Sequence, residues 1–112
     1  MIVRNQSKLE SVTRDDNIMM TDFFNAANPG GDGVTMGFAV FPPGVQAPPA
    51  AHDKDEYAYI LSGKIKVRLA GGEVVEAAAG CATFIPAGEE HASFNDSNED
   101  CRLVWLLVER SK

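Results

Sequence analysis

The sequence predicts an all-β fold of antiparallel strands. From residue 34 onward, roughly seven short apolar segments recur about every ten residues, each followed by a turn signal. The 10 glycines and 6 prolines are distributed between these segments, as turns require, and no long amphipathic helix is evident. At 112 residues the chain has the length of one domain. We therefore expect residues 1–112 to form one antiparallel barrel or sandwich.

The N-terminal third is less periodic than the rest. The stretch TDFFNAANPGGDG, residues 21–33, predicts a short strand followed by a glycine-rich loop. This loop lacks the lysine and the following helix that a phosphate-binding loop needs. We interpret it as a hairpin turn.

The strands after this loop are marked by alternation. In VTMGFAVFPPG, residues 34–44, large apolar side chains such as Met36 and Phe38 alternate with smaller ones until the Pro-Pro-Gly turn. In KIKVRL, residues 64–69, three basic side chains alternate with three aliphatic ones, as expected for a half-buried antiparallel strand. The other predicted strands are EYAYILSG, EVVEAAAG, CATFIPAG, EEHASFN and CRLVWLLVE.

The last of these segments, residues 101–109, is apolar on both faces. Such a strand avoids water on both sides. Two placements account for it equally well: between two packed layers, or at a contact between subunits.

The composition limits the kinds of binding partner and the cellular location that we expect. The chain has 10 basic and 16 acidic residues, a net charge of −6, which disfavours nucleic acid and anionic membranes and suits a small neutral or cationic partner better. The N-terminus lacks the apolar run of a signal peptide, and no segment is long enough to span a bilayer. Cys81 and Cys101 are too few for a disulfide scaffold. We expect a cytoplasmic protein with two free thiols.

The chain has two histidines, and each lies in a patterned segment. Around the second, the order is Gly80, five residues, Pro86, one residue, Gly88, two residues, His91, three residues and Asn95. This spacing resembles the second motif of the cupin family at every fixed position, across residues 80–95.

The segment around the first histidine, residues 44–63, resembles the first cupin motif. Gly44 opens it, His52 occupies the second position of a His-x-His pair, Glu56 follows after three residues, and Gly63 closes it. Ala50 stands where the family has the first histidine of the pair. The motif therefore lacks one of its ligands.

The resemblance implies a jelly-roll β-barrel, often dimeric, with a metal ion inside. Residue by residue, it assigns the metal ligands His52, Glu56 and His91. Residues 52 and 56 have the same strand parity and could face one cavity. Two histidines and a carboxylate can hold a divalent ion such as Fe, Mn, Ni or Zn and leave positions open for a substrate or water. The opposing interpretation is a site that has lost its metal, in which both histidines only line a solvated mouth.

Further residues are candidates for contact with a substrate. Ser93 and Asn95 have the same strand parity as His91 and could orient the substrate. Met36, Phe38 and Ile60 would form an apolar wall. Each could equally be plain barrel filling.

Two functions follow from these assignments. The first is a small metal-dependent enzyme, of oxygenase, isomerase or lyase type, that acts on an oxygen-bearing metabolite with Glu56 as a metal ligand and proton acceptor. The second is a non-catalytic cupin that binds or senses a small metabolite. We also expect a homodimer.

Overall fold

The computed structural model describes residues 1–27 and 33–110. A 3₁₀ turn spans Gln6–Lys8, and nine β-strands make up the regular structure of the described residues. The strands are β1 Val12–Thr13, β2 Met19–Phe24, β3 Val34–Phe41, β4 Lys54–Ser62, β5 Lys64–Leu69, β6 Val74–Ala78, β7 Ala82–Ile85, β8 His91–Phe94 and β9 Cys101–Glu109.

The strands form two antiparallel sheets. The larger sheet has the order β1-β2-β3-β9-β4-β7, and the smaller one has the order β6-β5-β8. Side chains from both sheets line one internal cavity, so the sheets face each other around it. The all-β jelly-roll barrel predicted from the sequence is confirmed.

The two central strands of the larger sheet determine which side chains face inward. The last strand, β9, lies between β3 and β4, with Gly37 opposite Trp105 and Glu56 opposite Leu107. Directly opposed residues in an antiparallel pair point to the same face. Leu103, Trp105 and Leu107 therefore line the cavity, and the residues between them point outward. The cavity explains the apolar residues on the inner face of β9.

The chain passes from the larger to the smaller sheet at Gly63, between β4 and β5. Gly63 has a φ of +74°, and an added Cβ would collide with the backbone carbonyl oxygen of Asp100. Only glycine fits both the left-handed conformation and the close approach. This explains why the first motif ends on a glycine.

The core is mostly aliphatic and also contains Phe41 and one cysteine. Ile18, Ile60 and Cys101 are fully buried, whereas Cys81 is exposed at a turn. Burial raises the pKa of the Cys101 thiol to about 11, so this thiol is un-ionised at neutral pH. The two cysteines are free, as the sequence predicts.

The glycine-rich segment after β2 is predicted to form a hairpin turn. Strands β2 and β3 pair antiparallel, consistent with a hairpin, but residues 28–32 of the glycine-rich turn lie outside the described residues. Within the described ranges, no helix has the length and apolar character needed to cross a membrane. The cytoplasmic location stays a prediction.

Candidate metal centre and cavity

Three side chains from two sheets converge at one end of the cavity. Glu56 comes from β4, His91 begins β8, and His52 lies just before β4. The Glu56 Oε1 atom lies 3.6 Å from His52 Nε2 and 3.7 Å from His91 Nε2. His91 is 7% exposed and the Glu56 side chain 21%, whereas His52, at 38%, is the most accessible of the three.

The orientation of His91 is held by its other ring nitrogen. His91 Nδ1 lies 2.9 Å from the backbone carbonyl oxygen of Glu89. A carbonyl oxygen only accepts hydrogen bonds, so Nδ1 carries the proton and the Nε2 lone pair is directed toward Glu56. Metal-ligating histidines are commonly held by such an outer contact. The tautomer of His91 is therefore the one that a metal ligand requires.

The donor set fits a divalent metal ion. One ligand atom from each of the three side chains can be chosen so that all lie within 4.8 Å of one another. Ligand atoms of one such ion lie about 2.0–2.2 Å from it, so small side-chain rotations bring all three into range. The separations to Glu56 exceed hydrogen-bond length, so these groups do not satisfy one another. Two imidazoles and one carboxylate suit Fe, Mn, Ni or Zn.

Position 50 adjoins this group but supplies no donor. The backbones of Ala50 and His91 form two reciprocal hydrogen bonds of 2.9 Å, and Ala50 lines the cavity. A methyl group cannot bind a metal. Position 50, where the family has its first histidine, is therefore next to the site but has no side chain that could bind a metal.

The segment before His91 is attached by two hydrogen bonds to the stretch of chain that carries His52 and Glu56. The Gly88 N–H donates to the His52 carbonyl oxygen at 2.7 Å, and the Ala87 N–H donates to Asp55 Oδ1 at 2.9 Å. The hydrogen bond from Arg110, and then that from Ala87, holds the pKa of Asp55 below its ordinary value. Asp55 points away from the cavity, as its strand parity predicts. Its role in positioning the loop was not predicted, because Ala87 and Arg110 are distant in sequence.

The cavity is largely apolar. It has a volume of about 230 Å³ and extends from His52, Glu56 and His91 between the two sheets. Its walls include Ile60, Ile65, Val67, Leu103 and Trp105. Polar side chains are concentrated at the three ligands, with Thr83, Ser93 and Arg14 as additions. Such a cavity accommodates a small molecule with an apolar body and a few polar atoms.

Two of the five predicted substrate contacts line this cavity, namely Ile60 and Ser93. Their contact with a substrate stays a prediction. Met36 and Phe38 lie on the other face of β3, because Gly37 and Ala39 are opposite the inward residues Trp105 and Leu103. The inner positions of β3 in the cavity wall are Ala39 and Phe41. Of the predicted apolar wall, Ile60 lines the cavity, whereas Met36 and Phe38 lie one residue away from the inward positions of β3.

Asn95 is also outside the cavity lining, and its side chain forms hydrogen bonds that stabilise the fold. It is 2% exposed, and its amide nitrogen donates to the carbonyl oxygens of Phe41 at 2.8 Å and Glu99 at 2.7 Å. Its Oδ1 accepts from the N–H and the hydroxyl of Ser97. These contacts join the 95–99 turn to β3. The prediction that Asn95 orients a substrate is replaced by a structural role.

Trp105 and Arg14 are among the cavity residues that the sequence did not predict. Trp105 lies so close to Gly37 that an added Cβ there would overlap the indole ring. Its position in β9 could have identified it only if the inner face of the strand had been known, because β9 is apolar on both faces. Arg14 comes from the poorly patterned N-terminal third, and no sequence signal identifies it.

The fold and these residues define a small β-barrel protein with a candidate metal centre at one end of an apolar cavity. The family model of the cupin domain matches residues 37–107, more than half of the chain. The chain belongs to the cupin domain family. A search of curated proteins returned no match.

Solved structures agree on the fold. The polyketide cyclase RemF from Streptomyces resistomycificus is similar with a TM-score of 0.85 and 20% identity, over 98% of this chain and 80% of RemF. A predicted oxalate decarboxylase from Thermotoga maritima is similar with a TM-score of 0.81 and 22% identity, over 98% of this chain and 100% of the other. An RmlC-like cupin from Shewanella frigidimarina has a TM-score of 0.78 and 15% identity, over 97% and 91%. At these identities the likeness concerns the fold alone.

Proposed function

We propose that the protein binds one divalent metal ion through His52, Glu56 and His91 and acts on a small oxygen-bearing molecule in the cavity. The convergence of these donors carries the proposal. The Nε2 atoms of both histidines lie within 3.7 Å of the same carboxylate oxygen. The hydrogen bond from His91 Nδ1 to the Glu89 carbonyl leaves Nε2 available as a ligand.

The reaction would combine metal chemistry with a water-poor cavity. A bound divalent ion supplies Lewis acidity toward a substrate oxygen or, where it is iron, a site for dioxygen. Glu56 would serve as a ligand and as a proton acceptor beside the substrate. The Ser93 hydroxyl would orient a polar substrate atom, and Ile60 would help to exclude water.

Two of the similar structures support a small oxygen-bearing substrate. One is a polyketide cyclase and another is a predicted oxalate decarboxylase, and both names refer to compounds rich in oxygen. We propose the same broad class of substrate here. The apolar walls favour a molecule that also carries a hydrocarbon portion.

The experiment is to measure the metal content of untagged protein by inductively coupled plasma mass spectrometry. We expect near-stoichiometric Fe, Mn, Ni or Zn in the wild type, loss of the metal in His52→Ala, and strong reduction in Glu56→Gln. Glu90→Gln is the matched control, because Glu90 is exposed and lies outside the cavity lining. Metal retained in both ligand variants would contradict the proposal.

The second candidate function is binding or sensing of a small metabolite without catalysis. Ala50 favours it, because the site has three protein ligands where the family has four, and three hold a metal less firmly. The apolar cavity would serve this function without a metal. Wild-type protein that stays metal-free after incubation with divalent ions, yet retains a co-purified organic molecule, would support this alternative.

We also propose that the protein works as a homodimer, paired through the outer face of the larger sheet. Tyr57, Tyr59 and Phe84 are 44%, 49% and 52% exposed on this face, and the rings of Tyr57 and Phe84 are in contact, 5.1 Å apart. Val104 and Leu106 of β9 are opposite the two tyrosines and extend the same apolar surface. A surface of this kind is typical of a contact between proteins. It would explain the outer half of the apolar pattern in β9.

A further inference from the structure

The cavity carries one cationic side chain that the proposed chemistry does not use. Arg14 lines the same cavity as His52, Glu56 and His91, although it comes from the N-terminal segment between β1 and β2. No lysine lies among the cavity-lining residues within the described ranges. Arg14 is therefore a distinctive charged residue of the cavity lining, separate from the proposed metal ligands, and its side chain is 43% exposed.

Arg14 is held in place by its own turn. Its Nη2 atom donates to Asp16 Oδ2 at 2.7 Å, and Asp16 Oδ1 accepts from the N–H of Ile18 at 3.2 Å. The Arg14 N–H also donates to the Ile18 carbonyl oxygen at 2.9 Å. Ile18 is fully buried and anchors the turn in the core. The guanidinium is thus pre-oriented, and the Asp16 contact occupies only part of its five donors.

The charges at the cavity favour an anion. A divalent ion on two neutral imidazoles and the Glu56 carboxylate leaves a net charge of about +1 at the ligand group. Asp16 forms an ion pair with Arg14 but is not itself one of the cavity-lining residues. The Arg14 side chain is 43% exposed and paired with Asp16, so its charge is not buried, but its remaining donors can bind a negatively charged ligand as a second partner. The net charge of −6 predicted a neutral or cationic partner, but this local arrangement differs from the chain average.

We propose that the cavity takes a small carboxylate with an apolar body, and that Arg14 is the specificity-determining residue that binds the carboxylate. A guanidinium suits this role because it can donate two parallel hydrogen bonds to one carboxylate. The apolar body would lie against Ile65, Val67 and Leu103. The cavity volume of about 230 Å³ suits a small acid. This inference deepens the proposed function and rests on it.

The test compares acids with their neutral amides. Benzoate, phenylacetate and isovalerate would each be titrated calorimetrically into the Zn²⁺-incubated protein, beside the corresponding primary amide. We expect at least one acid to bind about tenfold more tightly than its amide. Arg14→Gln should remove that preference without weakening amide binding, and Arg14→Lys should retain part of it. Arg102→Gln is the matched control, because Arg102 is exposed on β9 outside the cavity lining.

The outcomes separate this inference from the metal proposal. Equal binding of every acid and its amide, or an unchanged preference in Arg14→Gln, would overturn the role of Arg14. Repeating the titrations on His52→Ala isolates the metal. A preference for acids that survives in His52→Ala and disappears in Arg14→Gln supports Arg14 even if the metal proposal fails. A thermal unfolding midpoint for each variant verifies that the titrated protein is folded.

Discussion

Replacing Asn95 by alanine should destabilise the fold and leave the metal site intact. The change removes two hydrogen bonds that the amide donates, to the carbonyl oxygens of Phe41 and Glu99, and two that it accepts from Ser97. Asn95 is 2% exposed, so water cannot readily replace these partners. A hydrogen bond of this kind contributes about 1 kcal/mol net, and more where a buried carbonyl is left unpaired.

The expected loss in the free energy of unfolding is therefore about 2–4 kcal/mol. For a chain of this length the unfolding midpoint should fall by roughly 8–24 °C. The assay is urea denaturation monitored by Trp105 fluorescence, with the slope of the transition compared between variants. Metal affinity, measured by calorimetry on the folded protein, should change less than about twofold, because Asn95 is not in the cavity lining.

Asn98→Ala is the matched control, since Asn98 is exposed in the same turn. It should change stability by less than about 0.5 kcal/mol. A similarly small change in Asn95→Ala would refute the reasoning. So would a tenfold loss of metal affinity without a loss of stability, which would return Asn95 to the cavity as a contact for the metal or its ligand.

Two further predictions concern the metal site and the outer face. Ala50→His should raise Zn²⁺ affinity by about tenfold or more, because position 50 adjoins His91 and would supply the missing donor; unchanged affinity in calorimetric titration would show that the side chain cannot reach the other ligands. Phe84→Lys should convert the proposed homodimer to a monomer in sedimentation equilibrium, whereas Val74→Lys, at an exposed apolar position on the smaller sheet, should not. A wild type that sediments as a monomer would contradict the proposed dimer.

Most of the strands could be predicted from the sequence, because alternation along a strand is a local property. KIKVRL places Ile65 and Val67 in the cavity wall and Arg68 in solvent, as predicted. The motif glycines also indicated turns correctly, and Gly63 has the positive φ that its position required. The N-terminal strands were harder to predict, because β1 has two residues and both are exposed.

The parity of one strand relative to another could not be predicted. In β3, Met36 and Phe38 are larger than their neighbours, which suggested that they face the cavity. The register with β9 reverses this, because Gly37 has to lie opposite the bulky Trp105. Alternation shows that a strand has two faces, but only pairing with the next strand decides which of them faces inward.

The sequence by itself determined the all-β class, the two motifs and the three donor residues, since these depend on residue types and their spacing. The tertiary structure decided that His52, Glu56 and His91 meet, that Asp55 holds the loop before His91, and that Arg14 joins the cavity. It also showed that Asn95 holds a turn through hydrogen bonds to backbone carbonyl oxygens and does not line the cavity. The physical reason is that strand pairing brings together residues that are far apart in the chain. Local sequence patterns do not specify which strands pair or in which register.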